Sequence, residues 1–526
     1  MNIKSCKVRF IFISFIFFLI PSFLFAQKLN WQNLDLQKDG VFGVSTERAY
    51  KELLKNKTGV KVKIAVLDSG IDINHEDLSA VIWKNDKEQK NGADDDGNGY
   101  IDDVNGWNFL GSSIGNVNYD NLELTRLVRS YSEVFRGKDS TQIKTSQRGE
   151  YKKYIDLKSK LDSKKVEAFK ELASASAVKF IVDSLVEVTG KKNPKSKDFK
   201  ALKVMDPSEE YLVSFLIQQL KKERFSVLYD NMFQKAVDYY KDQLQYHLNE
   251  QFYSRDTVGD NYANVNERFY GNSDVSGPDA LHGTHVAGII GASRTNRKGI
   301  KGVADNVEII SVRCVPNGDE RDKDVANSIR YAVDMGAKII NMSFGKSYST
   351  DKNAVDEAVK YAMSKDVLLV HAAGNDNKNL EEEFNFPNRF YEDGGLAEAW
   401  LEVGASSWKA DSTLKASFSN YGKTKVDVFA PGYAINSTVP GSKYEEQSGT
   451  SMAAPVVSGV AGIIRSYYPK LSAVQVKEII MKSCVPFNQE VIVEEKSNTL
   501  KLNFKNLSVT GGIVNVYEAL KLAETY

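Results

Sequence analysis

Residues 61–70 spell Lys-Val-Lys-Ile-Ala-Val-Leu-Asp-Ser-Gly. A β-branched run that stops at Asp68-Ser69-Gly70 predicts a buried strand delivering an aspartate to a loop. Runs of the same kind recur at 307–312, 337–342, 367–372 and 426–429. Helical patterns stand between and after them, at 285–292, 324–334, 354–365 and 452–467. This alternation predicts an α/β fold, a doubly wound, mainly parallel sheet with helices on both faces. Such sheets present functional groups at the carboxyl ends of strands and at helix N-termini.

The chain has 526 residues, with 69 basic and 69 acidic side chains. A nucleic-acid reader would carry a basic excess, so no nucleic-acid partner is expected. With 42% apolar and 11% aromatic residues the chain can build cores. One long apolar run exists, at the N-terminus, where Lys4, Lys7 and Arg9 precede apolar residues 10–20, Pro21 and Ala26. That is the pattern of a secretory signal, residues 1–26, cleaved after Ala26. The alternative, an uncleaved anchor, would need an apolar stretch of about 20 residues. The expected product is exported, secreted or periplasmic, without an integral membrane span. It keeps 66 basic and 69 acidic side chains, a net of −3. Cys314 and Cys484 remain, to pair or to stay as buried thiols, and no Cys/His spacing suggests zinc.

Four zones follow the signal. Residues 27–60 form a polar N-terminal segment with a short helical pattern at 47–54. Residues 61–111 begin the sheet domain, and 273–526 complete it. Between them, 112–272 change character: Pro occurs only at 194 and 207, and apolar residues recur three and four apart at 151–161, 164–172, 211–220 and 233–248. These are amphipathic helices, so the zone is predicted to be a large all-helical insertion.

Three segments carry chemistry: VLDSGID at 66–72, LHGTHVAG at 281–288 and SGTSMAAP at 448–455. A serine hydroxyl needs a base to become a nucleophile, and an imidazole base needs a carboxylate to fix its tautomer. Asp68, His282 and Ser451 supply that set in the chain order of the subtilisin type. The segments resemble the subtilisin-like serine peptidases over roughly 45–111 and 273–526. The resemblance extends to Asn341-Met342-Ser343-Phe344-Gly345, to Ala372-Ala373-Gly374-Asn375, to Ala430-Pro431-Gly432 and to Gly512-Ile513-Val514-Asn515. It implies a secreted serine endopeptidase acting on protein or peptide substrates through an acyl-enzyme. By that likeness Asp68, His282 and Ser451 are the triad and Asn375 is the oxyanion donor. Ser343, Phe344 and Gly345 are the strand edge that pairs with substrate. The competing reading is a catalytically silent or gated relative whose insertion binds a partner.

Residues 94–103, DDDGNGYIDD, alternate oxygen ligands at Asp94, Asp96 and Asn98, with Asp102 and Asp103 following. The start matches a calcium loop, but Asn105 stands where an EF-hand has its bidentate Glu. A structural Ca²⁺ is expected there, with no organic cofactor. Asp77 matches a residue that ligates another calcium in some relatives. Of the other histidines, His285 and His371 are expected in the core, and His75 and His247 at the surface. Two departures from the family stand out. Residues 27–60 are too short for the usual prodomain. The insertion precedes the His282 helix, which predicts that it flanks the substrate cleft as a lid, an interaction module or a scaffold.

Overall fold

The computed structural model describes residues 28–204, 206–495 and 498–526; the expected signal lies outside them. Helices α1 (Leu36–Asp39) and α2 (Thr46–Glu52) come first. Strand β1 (Val62–Asp68) follows, then β2 (Gly106–Asn108) and the small hairpin β3 (Gly111–Ser112) and β4 (Gly115–Asn116). The helical zone holds α3 (Glu123–Phe135), α4 (Arg148–Thr189), α5 (Ser196–Lys200), α6 (Pro207–Gln219), α7 (Phe225–Tyr229) and α8 (Lys235–Asp242). The chain then runs through α9 (Leu281–Gly291), β5 (Val307–Arg313), α10 (Asp322–Asp334), β6 (Ile339–Met342), α11 (Lys352–Ser364) and β7 (Leu368–Ala372). Strands β8 (Trp400–Ser406), β9 (Val428–Pro431), β10 (Ile435–Val439) and β11 (Lys443–Gln447) lead to α12 (Thr450–Tyr467) and α13 (Ala473–Lys482). Last come β12 (Val485–Pro486), β13 (Glu490–Glu495), β14 (Asn498–Asn503), β15 (Gly512–Ile513) and α14 (Val516–Ala523).

Nine strands form one sheet in the order β12-β15-β9-β8-β7-β6-β1-β5-β2. All neighbours are parallel except β12 and β15. Strand β1 lies inside the sheet, and the chain adds β5 on one side of it before β6 on the other. The switch point therefore falls at the carboxyl end of β1, where Asp68 sits. Apolar side chains fill both faces: α9 and α12 pack on one with Ile64 and Val66, α10 and α11 on the other with Ala65 and Leu67. The fold class read from the sequence is the one observed. The N-terminal segment is part of this core, since Trp31, Val44, Ala49 and Leu54 are buried in it. Val516 N–H donates to the Val44 carbonyl at 2.8 Å, and Asn515 Nδ2 donates to Ser45 Oγ at 2.8 Å.

The helical zone differs from its sequence reading in detail. It opens with the β3–β4 hairpin. The segments expected at 151–161 and 164–172 are one 42-residue helix, α4. No Gly or Pro interrupts it after Gly149. Its buried residues change face along its length: Tyr154, Leu157, Leu161 and Ala168 join a cluster with α3, whereas Val182 and Leu185 join one with α5, α6 and α7.

Candidate active site

Asp68 ends β1 with 2% exposure. Its Oδ1 accepts from Ser69 N–H at 2.7 Å and from His282 Nδ1 at 2.8 Å. His282 stands in the first turn of α9. The next residue must be small, because a Cβ on Gly283 would meet the Gly70 carbonyl oxygen at 2.2 Å and Asp68 Cβ at 3.1 Å. That close approach lets the helix bring the ring to the carboxylate. With Nδ1–H committed to Asp68, the neutral ring keeps Nε2 as its acceptor. Burial works against charging the ring, but the charge and hydrogen bond of Asp68, helped by Asp279, outweigh it and raise the His282 pKa above its ordinary 6.5.

Ser451 lies in the first turn of α12, after Gly449. Its Oγ donates to the Ser343 carbonyl at 3.0 Å, and Ser343 Oγ donates to the Ser451 carbonyl at 2.9 Å. Asn341 Nδ2 donates to Ser343 Oγ at 2.9 Å, and Ser458 Oγ to Asn341 Oδ1 at 2.8 Å, so polar contacts pin the end of β6 to α12. Among the described residues no hydrogen bond joins Ser451 to His282. Asn375 Oδ1 accepts from Thr450 N–H at 2.8 Å and Thr450 Oγ1 at 3.0 Å, which fixes the carboxamide and leaves Nδ2 as the free donor. A Cβ on Gly449 would lie 3.5 Å from Asn375 Nδ2 and 3.5 Å from Ser451 N. The two N–H donors therefore face one small space that a side chain at 449 would fill.

Ser343, Phe344 and Gly345 continue from β6. Across from Gly345 lies Asn385, whose Oδ1 would be 2.5 Å from a Gly345 Cβ and whose Nδ2 donates to the Ala372 carbonyl at 3.1 Å. Asn385 thus closes the slot between the ends of β6 and β7, and the sequence reading missed it because no pattern marks it within 377–398. Arg313 was missed as well. It ends β5 opposite Asp68, is 1% exposed, and donates to the carbonyls of Ser69 at 2.8 Å and Val117 at 2.6 Å. Burial without a carboxylate in contact lowers its pKa to about 10.

His371 is buried, and its Nδ1 is 2.9 Å from Oε1 of Glu402, its cross-strand partner; Glu402 also takes Trp400 Nε1–H at 2.9 Å. His285 is buried with Nε2 3.0 Å from the Glu445 carbonyl, and burial lowers its pKa to about 4. Two surface expectations fail. His75 is fully buried between the Lys443 carbonyl and Asp77 N–H and rests edge-on against Tyr444, because the β10–β11 hairpin covers it. His247 is 4% exposed and meets the Asn317 carbonyl where the insertion returns to the sheet domain. Cys314 and Cys484 are both free, with thiols raised by burial.

The acidic loop is only partly as read. Asp94 and Asp96 gather with Glu88, one oxygen from each lying within 4.8 Å of the others. Asn98 stands beside them, its N–H donating to Asp94 and Asp96 at 3.1 Å each. Asp102 instead caps Asn91 and Gly92 N–H groups, with a left-handed φ of 57° turning it away. Asp103 points inward to Tyr331 OH at 2.7 Å and Asn85 Nδ2 at 3.0 Å, and burial raises its pKa to about 6. Glu88, absent from the sequence reading, is 5% exposed; Oε1 takes the Asp95 and Asp96 N–H groups, while the buried Oε2 has no partner. Three hard oxygen donors with one buried and unspent suit a divalent cation. Asp77 offers less, since its oxygens already accept from Asn296 Nδ2 at 2.6 Å and Ile300 N–H at 3.2 Å.

The family model for the subtilase family matches residues 59–507. A thermophilic serine proteinase of Bacillus sp. (strain AK1) is 42% identical over 186 residues, covering 35% of this chain and 42% of that protein. Thermitase of Thermoactinomyces vulgaris is 42% identical over 186 residues, 35% of this chain and 61% of its own. A cell wall-associated protease of Bacillus subtilis (strain 168) is 36% identical over 229 residues, 43% of this chain and 24% of its own. The chain thus spans less than two thirds of the length of these relatives. With the family model covering well over half of its residues, this chain belongs to the subtilase family.

Proposed function

We propose that this chain is a serine endopeptidase that cleaves peptide bonds through an acyl-enzyme. The observation that carries the reading is the convergence of Asn375 Nδ2 and the Ser451 N–H on one space, beside a His282 ring held by Asp68. Ser451 Oγ gives its proton to His282 Nε2 and attacks the scissile carbonyl carbon. The carbonyl oxygen, now negative, sits between the two N–H donors. His282 passes the proton to the departing amine, and a water then repeats the sequence to release the acid. Asp68 keeps the ring oriented and stabilises the imidazolium. Substrate backbone lies along Ser343–Gly345 as an added strand, with its side chain in the slot that Asn385 closes.

A second reading, a gated relative, has one observation in its favour: Ser451 Oγ is turned toward the Ser343 carbonyl and makes no bond to His282. Covalent labelling decides between them. Purified protein treated with a serine-directed fluorophosphonate is expected to label, and Ser451→Ala is expected not to. A folded parent that stays unlabelled sinks the active-enzyme reading and favours the gated form.

Calcium belongs to the proposal as a structural ion, held by Glu88, Asp94 and Asp96 with Asn98 beside them; bound there, it would tie the loop together by charge. Export is proposed from the basic, apolar and small-residue order of residues 1–26.

A further inference from the structure

We propose that Lys346 is a positioning residue for the substrate edge, and that Glu123 of the helical insertion sets its place, making the insertion part of the binding wall. This rests on the peptidase reading above, with Ser343–Gly345 as that edge.

Lys346 follows Gly345 directly. Its backbone pairs with Phe386 in both directions at 2.9 Å, so it fixes Gly345 against Asn385, the two sides of the slot. Its side chain, 1% exposed, turns the other way into a pocket of oxygens. Nζ meets Glu123 Oε2 at 3.0 Å, Asp322 Oδ1 at 2.8 Å and the Glu320 carbonyl at 2.8 Å. Of the carboxylates it touches, one therefore begins α10 of the sheet domain and the other begins α3 of the insertion.

Glu123 is as buried as its partner. Its N–H donates to Asp319 Oδ2 at 2.7 Å, and its carboxylate also takes Arg126. Arg126 in turn donates to the carbonyls of Asp319 and Glu320 at 3.0 Å each. The root of the insertion thus grips both chain segments that leave the sheet beside the site, 319–322 after β5 and 343–346 after β6. Burial opposes charge on both groups. Even so, Arg126 and Lys346 hold the Glu123 carboxyl below the usual range, and Glu123, Asp322 and Glu320 hold the Lys346 amine above its own. A buried ammonium that loses one of two carboxylates is left leaning on the other, here Asp322, and is drawn toward it. Any such shift moves residue 346 and, with it, the slot between Gly345 and Asn385.

The test uses the full chain with Glu123→Gln, Lys346→Met, their double mutant, Glu123→Asp, and Lys158→Ala as a half-exposed control elsewhere on the insertion. Readouts are kcat and KM on a tetrapeptide p-nitroanilide, the labelling rate with a small fluorophosphonate, and the melting temperature. Glu123→Gln and Lys346→Met are expected to raise KM by roughly threefold to thirtyfold, the range for couplings carried through packed contacts, with kcat and labelling little changed. The double mutant should be no worse than either single, Glu123→Asp should recover part of the loss, and Lys158→Ala should be silent. An unmoved KM in folded Glu123→Gln overturns the inference. If that variant does not fold, a native KM in Glu123→Asp together with Lys346→Met does the same. A parent that never labels at Ser451 overturns the peptidase reading on which this rests; a labelled parent with unmoved KM in the variants overturns this inference alone.

Discussion

Ser451 and Ser343 hold each other from both ends: the Ser451 hydroxyl donates to the Ser343 carbonyl at 3.0 Å, and the Ser343 hydroxyl donates to the Ser451 carbonyl at 2.9 Å. On the proposed reading, the nucleophile is thus parked on the segment after β6 that would receive substrate. A peptide that pairs with residue 343 competes for that carbonyl, and the displaced hydroxyl is free to rotate to His282. Ser343→Ala removes only one half of the exchange and strands the Asn341 amide. It is expected to cost about 1–3 kcal/mol, the penalty for a buried group left unpaired. Denaturant melts check the cost, and fluorophosphonate labelling at the parental rate checks that Ser451 is untouched.

Asn375→Ala deletes one of the two donors that face the space beside Gly449. Turnover is expected to fall by about 10²–10³, the size known for the corresponding donor of subtilisin, with KM nearly constant. A steady-state comparison on one peptide substrate measures both. A rise in KM with kcat unchanged would point to binding, not to charge stabilisation in the transition state.

The raised pKa of His282 fixes the sign of two pH effects. The proposed mechanism needs the neutral ring, so kcat/KM should decline toward acid with its limb above 6.5, and Asp68→Asn should move that limb downward. Stability runs the other way. The charged His282–Asp68 pair stabilises the fold below the unfolded-state pKa, and that contribution is lost as pH rises through the folded value. His282→Ala should therefore lower the melting temperature more in acid than in alkali. His285, lowered to about 4 by burial, opposes it: its neutral form suits the core, and stability is lost as pH falls from about 6.5 toward 4.

Calcium should raise the melting temperature and a chelator should lower it. At a free concentration of roughly one hundred times Kd the gain is about 2.7 kcal/mol. Glu88→Gln, which replaces the buried unpartnered oxygen with an amide, is expected to shrink that gain, whereas Asp102→Asn, whose carboxylate caps a turn, should leave most of it. A melting curve indifferent to chelator would remove the ion from the account.

The central strands and the Asp68, His282 and Ser451 segments were legible because each is local: a β-branched run, a Gly that admits a helix, a small-residue helix start. Glu88 and Asn385 were not, since each acquires its meaning from residues far along the chain or from a loop without periodicity. The acidic loop misled at Asp102 and Asp103, where spacing suggested ligands but backbone direction sent one to a turn and the other to Tyr331. His75 and His247 misled in the same way, because what buries them arrives from 443–444 and from 317. The single helix α4 reads as two segments because the polar run Asp162-Ser163-Lys164-Lys165 interrupts its apolar pattern, and its last turns go unread because the buried stripe passes there from the α3 cluster to the α5–α7 cluster.

The bond from Val516 to Val44, with Asn515 on Ser45, joins the early part of the chain to its late part. Residues 31–54 emerge from the ribosome long before the surface they complete exists, and β15 reaches β9 only then. A domain closed in this way is complete only once residues 512–516 have joined residues 44–45. For the peptidase proposed above this ordering is protective: the growing chain has no finished sheet domain beside its neighbours until residues 512–516 arrive.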